Sequence, residues 1–210
     1  MFKIVTVERE YGCGGAEIAQ RLAEILGWKL WDQLLTREIA HLAHCSQSAV
    51  EQREERTDPL YYRLMKSFMR GSYEGSLNAP KLNLLDSENI LKFSQRVVLH
   101  AAAKGECVIV GRGSQLFLRD RPDTFRVFLY ASREEKVRRL LTRGKSEREA
   151  QELVDTVDRE RAGFLEKYFH VVWPDRAIYH VMLNTAAGDE AVVQAIVNCM
   201  KPSERKPNPQ

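Results

Sequence analysis

The sequence has few cysteines, little net charge and no long apolar run, and each shortage excludes a class of protein. Its 210 residues include four cysteines without any Cys-x-x-Cys pair, so neither a disulfide framework nor a zinc ribbon is indicated. No run of 18 apolar residues occurs, which argues against a membrane-spanning chain. The 32 Lys and Arg exceed the 29 Asp and Glu by only three, too few to indicate nucleic acid or a membrane surface as a partner.

The amino terminus also lacks the features of a secretory signal. Residues 2–7 form a short apolar run with no basic start and no small-residue cleavage site after it, so we expect a soluble, cytoplasmic protein with reduced cysteines. The length and the 44% hydrophobic content fit a single domain at 1–200. Residues 201–210 are polar and we expect them to form a flexible tail. Nothing in the sequence indicates the oligomeric state.

Short apolar runs alternate with helical patterns along the chain. Five strand-sized runs lie at 2–7, 28–31, 107–110, 125–131 and 181–183, and helical spacing occurs at 17–26 and about 88–104. Ser132 and Ser146 each precede a Glu by three residues, the pattern that starts a helix. Continuous apolar strands separated by helices predict an α/β fold with a doubly wound, five-stranded parallel sheet.

A longer stretch at about 33–87 separates the second and third predicted strands, and its Gly and Pro positions predict helices joined by loops. The predicted core therefore comprises 1–32 and 88–200. The insert contains His41, His44 and Cys45, whose histidines would share a helix face. Because no further ligand clusters with them, we predict no metal site.

A glycine-rich turn follows the first strand and precedes the first helix. Its candidate phosphate-binding residues are Arg9, Gly12, Cys13, Gly14, Gly15 and Ala16. Glycines let backbone amides approach an anion, and the helix start adds partial positive charge. A tight turn that serves packing alone would also use these glycines. A dinucleotide loop would need glycine at Glu17, although Asp32 lies about where a ribose-binding acid belongs. A triphosphate loop fits the spacing better but is degenerate here.

The motifs taken in order resemble the cytidylate-kinase-like family, a divergent branch of the P-loop nucleoside monophosphate kinases. They are Arg9-Glu10-Tyr11-Gly12-Cys13-Gly14-Gly15, residues 18–23, Gly111-Arg112-Gly113, and residues 128–132, 158–161 and 179–185. The resemblance implies a P-loop kinase-type fold with a helical acceptor-binding insert and a helical lid at about 143–170. It also implies transfer of the γ-phosphoryl group of ATP, with Mg²⁺, to a nucleoside monophosphate or a similar phosphorylated acceptor.

Two departures from that family's pattern concern the phosphates and the acceptor. Gly15 stands where the P-loop lysine is expected, so a cation on the β- and γ-phosphates is missing. Arg9 is the candidate substitute, and the alternative is a surface arginine paired with Glu8 or Glu10. Gly113 stands where cytidylate kinases carry an acceptor-contacting aspartate, which leaves the acceptor base open.

Arginines are the residue type that phosphoryl transfer needs, because their planar forks bind phosphate oxygens. The resemblance implies that Arg112 holds the acceptor's phosphate, that Arg159 and Arg161 of the lid contact the phosphates, and that Asp158 takes part in substrate binding. Structural alternatives remain, since Arg112 could form a salt bridge at a strand end. Arg161, which interrupts an apolar helical stripe, could pair with Asp158.

Three further residues are acceptor-binding candidates: Asp32, Arg37 and Arg96. Asp32 could instead cap a following helix. The basic residues between 133 and 148 are interleaved with Glu, which favours a solvated helical face over nucleic-acid binding. Two other functions stay open. One is a non-catalytic nucleotide-binding protein that retains the kinase fold, and the other is a dinucleotide-dependent oxidoreductase.

Overall fold

The computed structural model describes residues 1–32, 34, 35, 38 and 87–201. Almost all of the predicted insert therefore lies outside the described residues, and so do Arg37, the group of His41, His44 and Cys45, and residues 202–210 of the predicted tail.

Five parallel strands form one sheet, as the alternating pattern predicts. They are β1 (Ile4–Arg9), β2 (Lys29–Trp31), β3 (Cys107–Val110), β4 (Thr124–Tyr130) and β5 (Val181–Asn184), in the order β2-β3-β1-β4-β5. The central strand β1 pairs with β3 from Ile4↔Cys107 to Val7↔Val110 and with β4 from Ile4↔Thr124 to Arg9↔Leu129. Every residue of β1 and β3 is buried, which explains their continuous apolar pattern.

Strand β1 extends two charged residues beyond the apolar run that predicted it. Glu8 and Arg9 continue the pairing with β4, opposite Phe128 and Leu129. Both are buried. The polarity of these two residues ended the predicted strand too early, because a charged pair inside a sheet is rare unless its members find partners.

Six helices of four or more residues accompany the sheet within the described ranges. They are α1 (Gly15–Leu26), α2 (Ser87–Lys104), α3 (Ser114–Phe117), α4 (Arg133–Thr142), α5 (Glu147–Phe169) and α6 (Asp189–Met200). α1 ends at Gly27, whose left-handed φ of 67° is readily adopted only by glycine. Ser132 and Ser146 cap α4 and α5, since their hydroxyls accept hydrogen bonds from Glu135 N (3.2 Å) and Glu149 N (3.3 Å). Both predicted capping sites are therefore present.

The two faces of the sheet bury separate apolar clusters. One packs Ile4, Ile109 and the α2 residues Val97 and Val98 against Phe164 of α5. The other packs Val5, Val7, Val108 and Val110 against α1 and α6, through residues that include Ile18, Leu22 and Ile196. A third, smaller cluster joins Tyr11 to Leu140 of α4 and to Ala150, Val154 and Val157 of α5. This third cluster brings the glycine-rich turn together with α4 and with α5, which spans most of the predicted lid.

The strand order creates a crevice at the carboxyl ends of β1 and β3. After β1 the chain crosses to β2 on the far side of β3, and after β3 it crosses back over β1 to reach β4. Ligands of open α/β sheets bind outside the carboxyl ends of two neighbouring strands from which the chain leaves in opposite directions. The turn at 10–15 and the turn at 111–113 both lie at this edge. Among the described residues, no helix combines the length and apolar character needed to cross a bilayer.

Candidate functional site

The glycine loop, residues 10–15, joins β1 directly to the start of α1. Residues 11–15 are all buried. Gly12 and Gly14 adopt left-handed φ angles of 81° and 83°, which a residue with a Cβ rarely adopts. Gly14 is the N-cap of α1 and no side chain caps it. An uncapped helix start that follows a glycine turn is a favourable place for an anion.

Three glycines of this loop are each contacted by a basic residue. A Cβ at Gly12 would lie 3.2 Å from Cβ of Lys136 and 3.3 Å from its carbonyl oxygen, and one at Gly14 would collide with Nη1 of Arg139. A Cβ at Gly15 would lie 2.9 Å from Cγ of Arg9. The glycines therefore let α4 approach the loop at Lys136 and give room to the side chains of Arg139 and Arg9. The sequence alone did not predict these contacts.

Arg9 spans the two turns of the crevice. Its stem packs against Gly15, and its guanidinium lies against Gly111 of the turn after β3. The side chain is 5% exposed, and Nη1 lies 3.7 Å from Oε1 of Glu8. The expected pairing with Glu8 is therefore present, but Arg9 is not a surface arginine. Burial, reinforced by the charge of Arg161, lowers its pKa.

Arg112 occupies a strained backbone position in the second turn. Its φ of 58° lies between Gly111 at 63° and Gly113 at 70°, and such a conformation costs a non-glycine residue about 1–3 kcal/mol. Only 2% of Arg112 is exposed. Burial lowers its pKa to about 10, Asp32 opposes that shift, and the charges of Arg9 and Arg161 add to it. Arg9, Arg112 and Arg161 thus form one buried arginine cluster.

Arg161 reaches the cluster from α5. Its Nη1 donates to the carbonyl oxygen of Arg9 (2.6 Å) and to Oδ1 of Asp158 (3.2 Å). Its guanidinium also lies over the ring of Trp173, 5.8 Å from the centroid. The pairing with Asp158 expected from the structural alternative exists, but the same guanidinium also contacts the backbone where the glycine loop begins.

Asp158 of α5 and Lys136 of α4 connect these two helices to the glycine loop. Oδ1 of Asp158 accepts a hydrogen bond from Tyr11 N (2.7 Å), and its Oδ2 lies 3.1 Å from Nζ of Lys136. The same Nζ lies 3.0 Å from Oε2 of Glu10. Burial lowers the pKa of Lys136, but the carboxylates of Asp158 and Glu10 outweigh it and the net change is upward.

The interpretation of residues 133–148 as a solvated face is wrong for two of its members. Lys136 is 8% exposed, and Arg139 has a side chain that is 15% exposed, compared with 63% for Arg138. Lys136 and Arg139 are three residues apart and therefore lie on the same side of α4. That spacing was the only feature of the sequence that indicated burial of these two residues. The interleaved Glu residues favoured a solvent-exposed face for the whole segment.

Glu8 and Gln115 are further site residues that the sequence reading missed. Nε2 of Gln115 donates to Oε2 of Glu8 (3.0 Å), and both residues are almost fully buried. Among the described residues, the arginine cluster and Lys136 contribute four cations, and four carboxylates accompany them: those of Glu8, Glu10, Asp32 and Asp158. The protein's own carboxylates therefore balance the charge of these four cations.

The remaining predicted residues differ in burial, and two of them are exposed to solvent. Asp32 is buried after β2 and acts electrostatically on Arg9 and Arg112, whereas Arg159 and Arg96 are exposed in α5 and α2. Cys13 is fully buried, and burial raises the pKa of its thiol to about 12, which fits packing. Ala16 lies in the first turn of α1 and is half-buried.

Comparison with solved structures identifies the fold as that of the P-loop kinases. An uncharacterized protein from Eubacterium ventriosum matches with a TM-score of 0.67 at 21% identity, over 95% of this chain and 98% of that one. A shikimate kinase from Bacteroides thetaiotaomicron matches with a TM-score of 0.52 at 14% identity, over 93% and 96%. A gluconokinase from Sinorhizobium meliloti matches with a TM-score of 0.54 at 13% identity, over 93% and 90%.

The family comparison agrees with the motifs. No curated protein matches the sequence. The model of the cytidylate kinase-like family matches residues 4–187, a range that includes the glycine loop, the arginine cluster and both helices that contact the loop. The chain therefore belongs to the cytidylate kinase-like family.

Proposed function

We propose that the protein transfers the γ-phosphoryl group of ATP, with Mg²⁺, to a nucleoside monophosphate or a similar small phosphorylated acceptor. The observation that carries this proposal is the convergence of Arg9, Arg161 and Lys136 on the glycine loop, which leads into an uncapped helix start. Phosphoryl transfer depends mainly on positioning and on positive charge around the moving group. This arrangement offers both.

Arg9 is the proposed substitute for the absent lysine. Its stem passes beside Gly15, the position where the family's lysine would begin. An arginine from the end of β1 therefore occupies space that a side chain at position 15 would need. Its planar guanidinium can bind two phosphate oxygens and remains charged at working pH.

Arg112 and Asp32 are the proposed acceptor-binding pair. They follow the adjacent strands β3 and β2 at the same edge of the sheet, and the carboxylate acts on the guanidinium. The strained backbone of Arg112 fits a functional role, because strained residues persist where the surroundings fix them and cluster at active sites. We propose that Arg112 binds the acceptor's phosphate and that Asp32 binds a hydroxyl group of the acceptor.

Mg²⁺ suits the oxygen donors of this site. Magnesium is usually held by one or two carboxylates together with substrate phosphates and water. Glu17, in the first turn of α1, is the carboxylate that would hold it, and it pairs with Arg143 at 2.7 Å. When bound, the ion would neutralise charge on the β- and γ-phosphate oxygens.

The test is a phosphotransfer assay on the full chain with Mg²⁺, ATP and a panel of nucleoside monophosphates. We expect acceptor-dependent formation of ADP. The Arg112→Ala variant should raise KM for the acceptor far more than for ATP. ADP formation no higher than in the acceptor-free blank, for every acceptor, would contradict the enzymatic proposal, and equal loss for both substrates would contradict the role of Arg112.

A second candidate function is nucleotide binding without turnover. Two observations favour it: Gly15 removes the lysine, and the site's own carboxylates balance its cations. Titration calorimetry separates the two functions. Binding of ATP with no transfer to any acceptor would support the non-catalytic function, whereas absence of binding at millimolar ATP would contradict both.

A further inference from the structure

A buried hydrogen bond ties the second turn of the crevice to the end of β1. Gln115 is the second residue of α3, which begins directly after the turn at 111–113. Its Nε2 donates to Oε2 of Glu8 (3.0 Å), and the two residues are only 1% and 2% exposed. A hydrogen bond to a charged group that is shielded from water in this way constrains both of its partners.

The turn that carries Arg112 is bonded directly to α3. The carbonyl oxygen of Gly113 accepts hydrogen bonds from the amides of Leu116 (2.9 Å) and Phe117 (3.0 Å). Arg112 itself has the strained φ of 58°, and a strained backbone persists only where the surrounding structure fixes it. Because Gln115 lies between these bonded residues, a contact that anchors its side chain also anchors the turn.

Glu8 serves both turns of the crevice with one carboxylate. Its Oε1 accepts from Arg9 N (3.0 Å) and lies 3.7 Å from Nη1 of the same arginine, whereas its Oε2 faces Gln115. A carboxylate can only accept hydrogen bonds, so it determines that the amide nitrogen of Gln115 is the atom that faces it. Burial of a carboxylate is unfavourable unless hydrogen bonds and opposite charge accompany it. The bond from Gln115 therefore stabilises Glu8 as well as the turn.

Tyr179, which lies just before β5, belongs to the same network. Burial raises the pKa of its hydroxyl, the charge of Glu8 adds to that shift, and a hydrogen bond with Gln115 opposes it. Gln115 is therefore held both by β1 and by the segment that leads into β5. Contacts on two sides leave its side chain one orientation.

We propose that Glu8 and Gln115 are positioning residues for Arg112. Their hydrogen bond fixes the turn at 111–113 against the end of β1, and the turn in turn holds the guanidinium of Arg112 where the acceptor's phosphate binds. Both residues act through the turn, and neither contacts the acceptor. The proposal rests on the proposed function, because that function assigns the acceptor's phosphate to Arg112.

Three variants separate the hydrogen bond from the bulk of the two side chains. Gln115→Leu removes the donor but keeps a similar volume. Gln115→Glu places a second buried carboxylate against Glu8, which is strongly unfavourable. The exchange variant, Glu8→Gln with Gln115→Glu, restores one donor and one carboxylate to the pair and keeps the total charge. Ile196→Val is the control for a loss of stability alone, because Ile196 is buried in α6 on the opposite face of the sheet.

The experiment is steady-state kinetics of the full chain with Mg²⁺, ATP and the nucleoside monophosphate that the wild-type protein uses best. We expect Gln115→Leu to raise KM for the acceptor about tenfold or more and KM for ATP by less than about twofold, because a small displacement of a binding group is costly. Gln115→Glu should raise KM for the acceptor further. The exchange variant should return it to within about threefold of wild type, and Ile196→Val should change neither KM.

A second variant keeps the test valid if Gln115→Leu does not fold. Gln115→Asn retains the amide but is one methylene shorter, so it should lose the bond to Glu8 and reproduce the rise in KM for the acceptor. Circular dichroism establishes which variants are folded.

The possible results distinguish this inference from the proposed function. With active wild-type protein, an unchanged KM for the acceptor in Gln115→Leu would overturn the inference and leave the proposed function intact. Equal rises in both KM values would also overturn it, because they would indicate a general structural role. A folded exchange variant that does not recover the acceptor's KM would contradict the role of the pair. Wild-type protein without acceptor-dependent ADP formation would overturn the proposed function and this inference with it.

Discussion

At the scale of single residues, the glycine loop is defined as much by the cations around it as by its own backbone. Gly12, Gly14 and Gly15 were recognised from sequence as a phosphate-binding pattern because three glycines in four residues precede a helix. The structure adds that Lys136, Arg139 and Arg9 each contact one of them. These contacts depend on elements distant in sequence, so the loop alone could not predict them.

Gly15 provides a steric test of the Arg9 position. Gly15 has no left-handed φ, so its substitution reports on space alone, and a Cβ there would lie 2.9 Å from Cγ and 3.0 Å from Cβ of the buried Arg9. We expect Gly15→Ala to lower the free energy of unfolding by about 1–3 kcal/mol, measured by urea denaturation. The same substitution in an Arg9→Gly background should cost less, because both colliding atoms are gone. Equal costs in the two backgrounds would show that Arg9 does not occupy this space.

Arg161 shows which single residues could be found from sequence. It stood out because it interrupts an apolar helical stripe, and the structure buries it against the loop. Lys136 and Arg139 gave no such signal, because they stand among exposed charges on a short, polar helix. The family resemblance implied a phosphate contact for Arg159 as well as for Arg161. A helix turns about 100° per residue, however, so a residue two positions away points to another side. Arg159 is accordingly exposed.

At the scale of elements, α5 holds the start of the glycine loop at two points of its backbone. Asp158 accepts from the amide of Tyr11, and Arg161 donates to the carbonyl of Arg9. α4 adds Lys136, which lies between Glu10 and Asp158. Any movement of these helices that breaks the contacts therefore alters the loop as well. We infer that the position of α5 and the conformation of the glycine loop are coupled through Asp158.

Two aspartates three residues apart on α5 test that coupling. Asp158 is bound by Tyr11 N, Lys136 and Arg161, whereas Asp155 forms an exposed pair with Arg133 at 2.8 Å. We expect Asp158→Asn to lower the free energy of unfolding by about 1–3 kcal/mol, because buried partners lose their charge complement. Asp155→Asn should change it little, because exposed pairs are screened by solvent. Thermal unfolding of both variants measures the difference, and equal shifts would contradict the special role of Asp158.

The secondary structure was the part that sequence predicted best. Apolar runs and capping residues located all five strands, α1, and the starts of α4 and α5, because those signals are local. The errors in the predicted secondary structure concern the ends of strands and helices. β1 runs on to Arg9 because Glu8 and Arg9 find partners inside the protein, and α1 begins at Gly15 because the glycine loop turns directly into the helix.

At the scale of the whole molecule, the sheet order explains why distant motifs converge. β1 lies between β3 and β4, so the loop after β1 and the turn at 111–113 are neighbours although about 100 residues separate them. Strand order follows from crossover connections and can be expected from the fold class. The balance of four cations and four carboxylates could not be expected, because it depends on which charged residues turn inward.

This balance has a consequence for ligand binding by the whole site. A triphosphate brings several negative charges to cations that already have carboxylate partners, so its binding requires exchange of partners or a cation from outside the balanced set. Mg²⁺ is the outside cation that the proposed function includes. Without Mg²⁺, the site would bind a polyanion weakly.

The central claim is that the glycine loop binds a triphosphate whose charge is met by arginines in place of the loop lysine. A crystal structure of the full chain with Mg²⁺ and a non-hydrolysable ATP analogue tests it most directly. We predict phosphate oxygens at about 3 Å from the amides of residues 12–15, with the guanidinium groups of Arg9 and Arg161 at hydrogen-bond distance from the β- or γ-phosphate. Phosphates bound elsewhere, or bound at the loop with both guanidinium groups turned away, would contradict the account.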